Sequence, residues 1–318
     1  MRASCPGRVT PAGARRAERE REHIPSYLHT VITLVRRVAA LCALGTALTA
    51  CATVQPAQPV RQPARPAPSV TPAVPAAPSP RPPTLAPGAA GLTPVFDHGS
   101  RTAGRTVALT FDADMTADQG PRAAAGERFD HPRLIAALRA LRVPATVFMT
   151  GRWAEEYPDQ ARSIGRDPLF EVANHSYSHY AFTADCYGLP TVSADRMRAD
   201  VERAYTVFRE VGVEDPMPYF RFPGGCYDRA ALRALTPAGV TAVQWDVVGG
   251  DAFATDAEAV ARQVLDGVRP GSVVVLHCTR SAAPTTERAV RTIVPELRRR
   301  GYRFVKVSDL IATAGGRS

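Results

Sequence analysis

Acidic residues are absent between residues 52 and 94. The same segment has only scattered apolar side chains, and 13 of its residues are proline. A chain of this composition cannot bury enough apolar surface to offset the entropy that ordering would cost. We therefore predict that residues 52–94 form an extended, semi-rigid, disordered linker and not part of a folded domain.

The remainder of the chain lacks an excess of positive charge, although the whole protein carries a formal net charge of +9. Residues 95–318 contain 28 Lys and Arg against 27 Asp and Glu, so the excess lies in the first 94 residues. A nearly neutral domain lacks the basic surface that binds phosphate backbones, which argues against a nucleic acid partner. A basic tether instead favours a membrane surface or an anionic wall polymer.

The N-terminal apolar run is too short to cross a bilayer. Residues 38–50 follow Arg36 and Arg37, and their length is typical of the apolar core of a signal sequence. Residues 1–34 are charged and contain no apolar run, which suggests a translation start near Val35.

The apolar run ends in Leu48-Thr49-Ala50-Cys51, which resembles the bacterial lipobox. That resemblance implies that residues 1–51 are a signal segment and that Cys51 is lipidated and becomes the mature N-terminus. We therefore expect an exported protein that is anchored in the cell membrane by lipid and faces the cell wall. The alternative is an ordinary secretory signal with an incidental cysteine.

Cysteine is scarce, and only Cys186, Cys226 and Cys278 belong to the predicted domain. An exported protein can form disulfides. Three cysteines allow at most one internal pair, and the sequence does not choose among the three possibilities.

Apolar strand patterns alternate with helical patterns from Arg105 onward. Buried strands are predicted at residues 107–111, 145–149, 170–173, 219–222, 240–245, 272–276 and 302–305. Helices are predicted at residues 132–141, 152–164, 194–211, 228–234, 256–268 and 285–300. Such repeated alternation predicts one α/β domain over residues 95–318, whose parallel sheet is open or closed into a barrel.

Polar side chains follow five of the predicted strands. They are Asp112, Asp114, His175, His179, Arg221, Asp251 and His277. The carboxyl ends of parallel strands meet at one rim, so we expect these side chains to form a site there. On a helical turn, two histidines four residues apart would share a face and could both bind one metal ion.

Five segments, taken in order, resemble the motifs of the polysaccharide deacetylase family with NodB homology. They are Thr110-Phe111-Asp112-Ala113-Asp114, His175-Ser176-Tyr177-Ser178-His179, Arg221-Phe222-Pro223-Gly224-Gly225, residues 245–251 and Leu276-His277. The resemblance covers about residues 100–312 and implies a deformed (β/α) barrel of about seven parallel strands.

The activity that this resemblance implies is hydrolysis of N-acetyl groups on the amino sugars of a polysaccharide. Peptidoglycan is the favoured substrate, because the tether would keep the domain at the cell wall. The alternatives are an O-acetyl esterase or chitin-type deacetylase with the same site, or a noncatalytic glycan-binding lipoprotein. A glycan and a membrane are the expected partners, and no protein partner is implied.

The resemblance further implies a divalent metal, preferably zinc, held by His175, His179 and one carboxylate. The first motif of the family has two adjacent aspartates, whereas Ala113 separates Asp112 from Asp114 in this chain. We favour Asp112 as the catalytic base and Asp114 as the metal ligand. The reverse assignment, with Asp112 as the ligand, remains open.

The other motif residues take their expected roles from the same resemblance. Arg221 would pair with the base and keep it ionised. The backbone N–H of Gly224 would stabilise the oxyanion. His277 would be the general acid, oriented by Asp251, which would also raise its pKa.

Two positions near the expected acetyl pocket depart from the family pattern. Ala252 stands where a Trp is common, and Val275 stands where a Leu is common. We therefore expect a wider acyl pocket than usual.

Overall fold

The computed structural model describes residues 81–315 of the 318-residue chain. The predicted signal segment, Cys51 and residues 52–80 of the predicted linker lie outside the described residues. Within residues 81–315, no helix has the length and apolarity needed to cross a bilayer.

The end of the predicted linker packs against the domain. The backbone carbonyl of Pro83 accepts a hydrogen bond of 2.7 Å from the Tyr219 hydroxyl, and the Leu85 N–H donates to the Thr241 hydroxyl at 3.3 Å. Leu85 also packs against a cluster of buried apolar side chains. The packed part of the chain therefore begins within the segment whose composition predicts a linker.

The described residues form one sheet of nine strands, and every pair of neighbouring strands is parallel. The strands are β1 (Val95–Phe96), β2 (Thr106–Ala113), β3 (Ala145–Met149), β4 (Phe170–Asn174), β5 (Tyr219–Phe220), β6 (Thr241–Val243), β7 (Val247–Val248), β8 (Ser272–His277) and β9 (Arg303–Phe304). Their order is β1-β6-β5-β4-β3-β2-β8-β7, and β9 pairs with β2. All seven predicted strands are present. The additional strands β1 and β7, with two residues each, were not predicted.

Nine α-helices accompany the strands in the described part of the chain. They are α1 (Gly120–Ala124), α2 (Pro132–Ala140), α3 (Gly151–Glu156), α4 (Pro158–Gly165), α5 (Met197–Glu210), α6 (Arg229–Leu235), α7 (Ala257–Gly267), α8 (Thr286–Arg299) and α9 (Val307–Gly315). The helix predicted at residues 152–164 is two helices, because Tyr157 leaves the helical conformation and Pro158 starts a new helix.

The buried apolar side chains form three clusters, and two of these are layers that lie on opposite faces of the sheet. The larger layer joins the sheet to the helices and includes Trp153 of α3 and Ile293 of α8. The smaller layer includes Phe148 and Tyr219 from the strands and Leu310 from α9. Alternate residues of one strand contribute to different layers, as the two-residue period of a strand requires.

The sheet curves into an incomplete barrel whose edges are β1 and β7. A short contact ties the β1 side to β8: His98 forms an antiparallel bridge with Ser272, and the Gly99 N–H donates to the Gly271 carbonyl at 2.8 Å. The predicted deformed (β/α) barrel is therefore confirmed.

Strand register places the first two catalytic candidates side by side. Asp112 near the end of β2 is aligned with His277 at the end of β8 and with Phe148 of β3. Parallel pairing thus brings together residues that are far apart in the sequence, at the carboxyl rim of the sheet.

Candidate active site

Asp112 lies in a buried ion pair with Arg221. The Arg221 Nη1 donates a hydrogen bond of 2.6 Å to Asp112 Oδ1, and both side chains are buried. The Arg221 Nε donates to the backbone carbonyl of Val243 at 3.2 Å, and its guanidinium lies 3.9 Å from the centre of the Phe148 ring. Burial lowers the pKa of Arg221, and the charge of Asp112 opposes that change. The pair fixes the orientation of the Asp112 carboxylate and places a positive charge beside it.

The displaced carboxylate, Asp114, lies on the same side of the strand as Asp112. Ala113 packs with its fully buried methyl group in the layer between the sheet and the helices. Residues on either side of Ala113 then point the other way, because side chains alternate along a strand. The spacing Asp-Ala-Asp therefore directs both carboxylates to the site.

Thr279 holds Asp114 in place. Its hydroxyl donates to Asp114 Oδ1 and accepts a hydrogen bond of 3.1 Å from the Asp114 N–H. Burial raises the pKa of Asp114, but the pull of His179 and His277 together with the Thr279 hydroxyl outweighs it and lowers the pKa. Thr279 lies outside the five motif segments, so the sequence did not predict its role.

The segment that carries the two histidines is not the helical turn expected from their spacing. It forms an irregular bend after β4, with Ser176 at φ 69° and His179 at φ 55°. The Asn174 side chain shapes the bend by accepting a hydrogen bond of 2.8 Å from the Ser176 N–H. The two imidazole rings still meet, with their centres 4.9 Å apart.

Asp200 of α5 stabilises this bend from outside the motif. Its Oδ2 accepts hydrogen bonds from the Tyr177 N–H at 3.1 Å and from the Ser178 N–H at 3.3 Å, and another from the Ser178 hydroxyl. A position more than 20 residues downstream carries no local pattern that would link it to the histidines. Sequence reasoning therefore missed Asp200.

Burial favours the neutral form of both histidines, and a hydrogen bond leaves the Nε2 lone pair of His175 available. His175 Nδ1 lies 2.8 Å from the backbone carbonyl of Arg221, so Nδ1 carries the proton and donates it. Burial lowers the pKa of His175 and lowers that of His179 to about 4. The His175 Nε2 lies 3.7 Å from Asp112 Oδ2, and the His179 Nε2 lies 3.6 Å from Asp114 Oδ2.

In residues 81–315, no three His, Cys, Asp or Glu side chains are already arranged as a metal centre. The donor chemistry nevertheless fits a divalent ion, because neutral imidazole nitrogens face carboxylate oxygens. Ligands at 2.0 to 2.2 Å from a tetrahedral ion lie about 3.3 to 3.6 Å from one another. The separations of 3.6 and 3.7 Å are close to that range.

His277 forms the second charged pair of the site with the buried Asp251. The His277 Nδ1 lies 2.8 Å from Asp251 Oδ1, while Asp251 Oδ2 accepts the His277 N–H at 2.7 Å and the Thr286 hydroxyl at 2.5 Å. Burial lowers the pKa of His277, but Asp251, helped by Asp114 and Asp112, raises it to about 10. The imidazolium is therefore the form present at neutral pH. Thr286, like Thr279, was not found from the sequence.

The Pro223–Gly225 turn follows β5 and lies beside this site. Gly224 has φ 64° and is exposed, and Gly225 has φ 72°. A β-carbon at Gly225 would lie 2.3 Å from the Trp245 ring, so only glycine fits there. The Gln244 side chain donates to the Gly225 carbonyl at 2.9 Å and fixes the turn from its other side.

A disulfide between Cys186 and Cys226 joins this turn to the loop after the histidine segment. Cys278 is a free, buried thiol next to His277. The structure thus selects one of the three pairings that the sequence left open.

The two positions that depart from the family pattern lie differently. Ala252 is exposed and leads into the exposed Phe253, whereas Val275 is buried on β8, aligned with Thr110.

The carboxyl rim brings together all the predicted charged residues. The described part of the chain does not include Cys51.

The sequence and the fold both have known relatives. Residues 99–243 match the family model for polysaccharide deacetylases. A chitooligosaccharide deacetylase from Sinorhizobium fredii is 31% identical over 185 residues, which cover 54% of this chain and 80% of the relative.

Two solved structures have the same fold. One is a peptidoglycan N-acetylglucosamine deacetylase in complex with a substituted N-oxidanyl-benzamide, with a TM-score of 0.58 and 25% identity, covering 71% of this chain and 96% of that one. The other is a family 4 acetyl xylan esterase from Clostridium thermocellum in complex with a cobalt ion, with a TM-score of 0.51 and 25% identity, covering 65% and 91%. A metal ion is implied by this relationship. The matched segment, the identity to the Sinorhizobium enzyme and the shared fold establish that the chain belongs to the polysaccharide deacetylase family.

Proposed function

We propose that this protein removes N-acetyl groups from the amino sugars of a cell-wall polysaccharide, with peptidoglycan as the favoured substrate. One observation carries the proposal: the Asp112 carboxylate, which is paired with Arg221, is aligned with the protonated imidazole of His277, which is paired with Asp251. The two residues lie on the adjacent strands β2 and β8. This pair supplies the base and the acid that amide hydrolysis needs. Relatives that act on peptidoglycan N-acetylglucosamine and on chitooligosaccharides support the substrate class.

We assign zinc as the preferred metal, with His175, His179 and Asp114 as its ligands. Their nitrogen and oxygen donors match the preference of zinc, and three protein ligands are typical of a catalytic site. When bound there, the ion would supply Lewis-acid activation of water and of the acyl carbonyl. Asp112 remains the alternative carboxylate ligand, because its Oδ2 lies as near to His175 as Asp114 Oδ2 lies to His179.

The residues of this chain then divide the proton transfers. Asp112 Oδ2 accepts a proton from the attacking water, while Oδ1 stays bound to Arg221 and keeps the carboxylate oriented. The Gly224 N–H donates a hydrogen bond to the oxygen that becomes negatively charged in the tetrahedral intermediate. The His277 Nε2–H protonates the departing amine as the C–N bond breaks, while the His277 Nδ1–H continues to donate a hydrogen bond to Asp251. Acetate and the free amino sugar are the products.

The N-terminal pattern supports an activity outside the cell. We propose that Cys51 is lipidated, that the mature protein is held at the membrane, and that its site faces the wall. The Cys51→Ala variant should then move from the membrane fraction to the medium. Retention of that variant in membranes at the wild-type level would contradict the lipid anchor.

Acetate release decides between the candidate activities. The wild-type protein should release acetate from purified peptidoglycan, lose that activity with EDTA and regain it with zinc. Chitooligosaccharides and O-acetylated xylan, assayed in parallel, test the chitin-type and O-acetyl alternatives. Glycan binding without acetate release from any of the three substrates would favour the noncatalytic alternative.

A further inference from the structure

Tyr187 is the most exposed large hydrophobic side chain in the described part of the chain, with 88% of its surface accessible. It also adopts the left-handed backbone conformation, at φ 52°, and Gly188 follows at φ 74°. An isolated exposed apolar residue is ordinary. A bulky residue in the left-handed region is uncommon, however, and such strain is characteristic of functional positions.

The ring of Tyr187 lies against the turn that carries the proposed oxyanion donor. A β-carbon built on Gly224 would lie 3.3 Å from Tyr187 Cδ2, so the ring edge lies in the space next to Gly224 that a side chain there would occupy. The exposed ring therefore stands at the border of the site, although Tyr187 belongs to a different loop from Gly224.

The loop of Tyr187 is fixed on both sides of the tyrosine. The preceding residue, Cys186, is buried and bonded to Cys226, directly after the Pro223–Gly225 turn. The Leu189 N–H donates to the Cys186 carbonyl at 3.0 Å, and Ala181 bonds to Pro190 at 2.7 Å. The ring is thus presented to solvent from a constrained backbone, which limits the entropy lost on binding.

We infer that Tyr187 stacks on a pyranose ring of the glycan next to the sugar that is deacetylated, and so sets the preference for polymeric substrate. A tyrosine ring offers a flat apolar face and a polar hydroxyl, which match the C–H face and the rim hydroxyls of a sugar. A rigid aromatic side chain with few rotatable bonds is well suited to such a contact. This inference rests on the proposed function, because it requires a glycan in the site.

Two substitutions distinguish the contribution of the Tyr187 ring from that of its backbone conformation. Tyr187→Asn removes the aromatic face with a residue that tolerates the left-handed conformation, so folding should be retained. Tyr187→Phe keeps the aromatic face and removes only the hydroxyl, and it serves as the matched control. Because the side chain is exposed, neither change opens a cavity in the core.

The test compares N-acetylglucosamine with its tetramer as substrates of the zinc-loaded enzyme. Tyr187→Asn should raise KM for the tetramer roughly 3- to 10-fold, the range of a lost aromatic contact. It should leave kcat and kcat/KM for the monomer at the wild-type level, and Tyr187→Phe should resemble wild type on both substrates. Titration calorimetry with the tetramer should show the same loss of affinity in Tyr187→Asn.

Two results would overturn the inference: an unchanged KM and affinity for the tetramer, or an equal loss on monomer and tetramer. Failure of the proposed function looks different, since the wild-type enzyme would then release no acetate from either substrate. In that case the calorimetric comparison still decides whether Tyr187 binds the glycan.

Discussion

The floor and the rim of the site are built in opposite ways. On the floor, Asp112, Arg221 and Asp251 are buried, and each charge has a partner within hydrogen-bond distance. On the rim, Tyr187 and Phe253 expose 88% and 84% of their surfaces, and both are held at positive φ.

This difference follows from how each part is supported. Strand register fixes the floor, because Asp112 and His277 are aligned partners of β2 and β8. Loops, a disulfide and left-handed residues fix the rim. The proposals made above assign the reaction to the floor and the selection of the glycan to the rim, and each substitution below tests one side of that division.

The largest effect should come from substitutions that distinguish the roles of the two carboxylates of the floor, Asp112 and Asp114. Asp112→Asn keeps the shape and the hydrogen bond to Arg221 but cannot accept a proton at neutral pH, so kcat should fall by about 10³- to 10⁴-fold with zinc retained. Asp114→Ala should instead lose the metal. Zinc content by elemental analysis, measured beside kcat, distinguishes the two outcomes.

His175→Ala serves as a reference, because it should lose metal and activity together. If Asp112→Asn is the variant that loses zinc while Asp114→Ala retains it, the ligand and base roles of the two carboxylates are exchanged.

Removal of the acid should have the next largest effect. His277→Ala should lower kcat by about 10²- to 10³-fold while zinc is retained. Single-turnover acetate release from a defined oligosaccharide measures this loss. An unchanged rate would remove His277 from the mechanism.

The same residue predicts the direction of the pH dependence. The pKa of His277 is raised to about 10, so the acid form is complete at neutral pH and is lost as the pH rises through that value. Activity should therefore fall on the alkaline side. Asp251→Asn removes the charge that raises the pKa, so the alkaline limb of the kcat profile should move to lower pH. An alkaline limb that does not move in Asp251→Asn would show that another group, and not His277, causes the loss of activity at high pH.

A smaller effect is expected from Thr279, which supports the floor without reacting. Thr279→Val removes the hydroxyl that orients Asp114 but keeps the side-chain volume, and zinc affinity should fall by about 10- to 100-fold. Thr279→Ser, which keeps the hydroxyl, should restore most of the affinity. Competition with a chromogenic chelator measures both variants. Equal zinc affinity in Thr279→Val and wild type would show that Asp114 needs no such support.

The smallest effect should come from the rim beside Asp251. Ala252→Trp introduces the residue common in the family and should narrow the acyl pocket. Acetyl hydrolysis should change by less than about threefold, whereas an N-propionyl substrate should lose roughly tenfold, because overpacking a pocket by one methylene costs about 1 to 3 kcal/mol. Parallel loss on both acyl groups would place Ala252 away from the pocket.

Much of the floor could be predicted from the sequence because strands at the carboxyl rim of a parallel sheet obey a general rule. The seven predicted segments, of four to six residues each, carried that signal, whereas the two-residue strands β1 and β7 were not predicted. The spacing of Asp112 and Asp114 also contained more information than expected, since a two-residue period already places them on one side.

The rest depended on contacts between distant segments. The backbone N–H groups of the histidine bend donate hydrogen bonds to the side chains of Asn174 and Asp200, and this bend replaces the helical turn expected from the spacing of His175 and His179. Thr279 and Thr286 act through single hydroxyls, which leave no periodic pattern. The choice of Cys226 as the partner of Cys186 required the positions of two loops.

The contacts of the segment at Pro83 and Leu85 set a direction for the whole domain. Their partners, Tyr219 and Thr241, are the first residues of β5 and β6, whereas Asp112 and His277 lie at the carboxyl ends of β2 and β8. The chain thus enters the domain at the pole opposite to the catalytic opening.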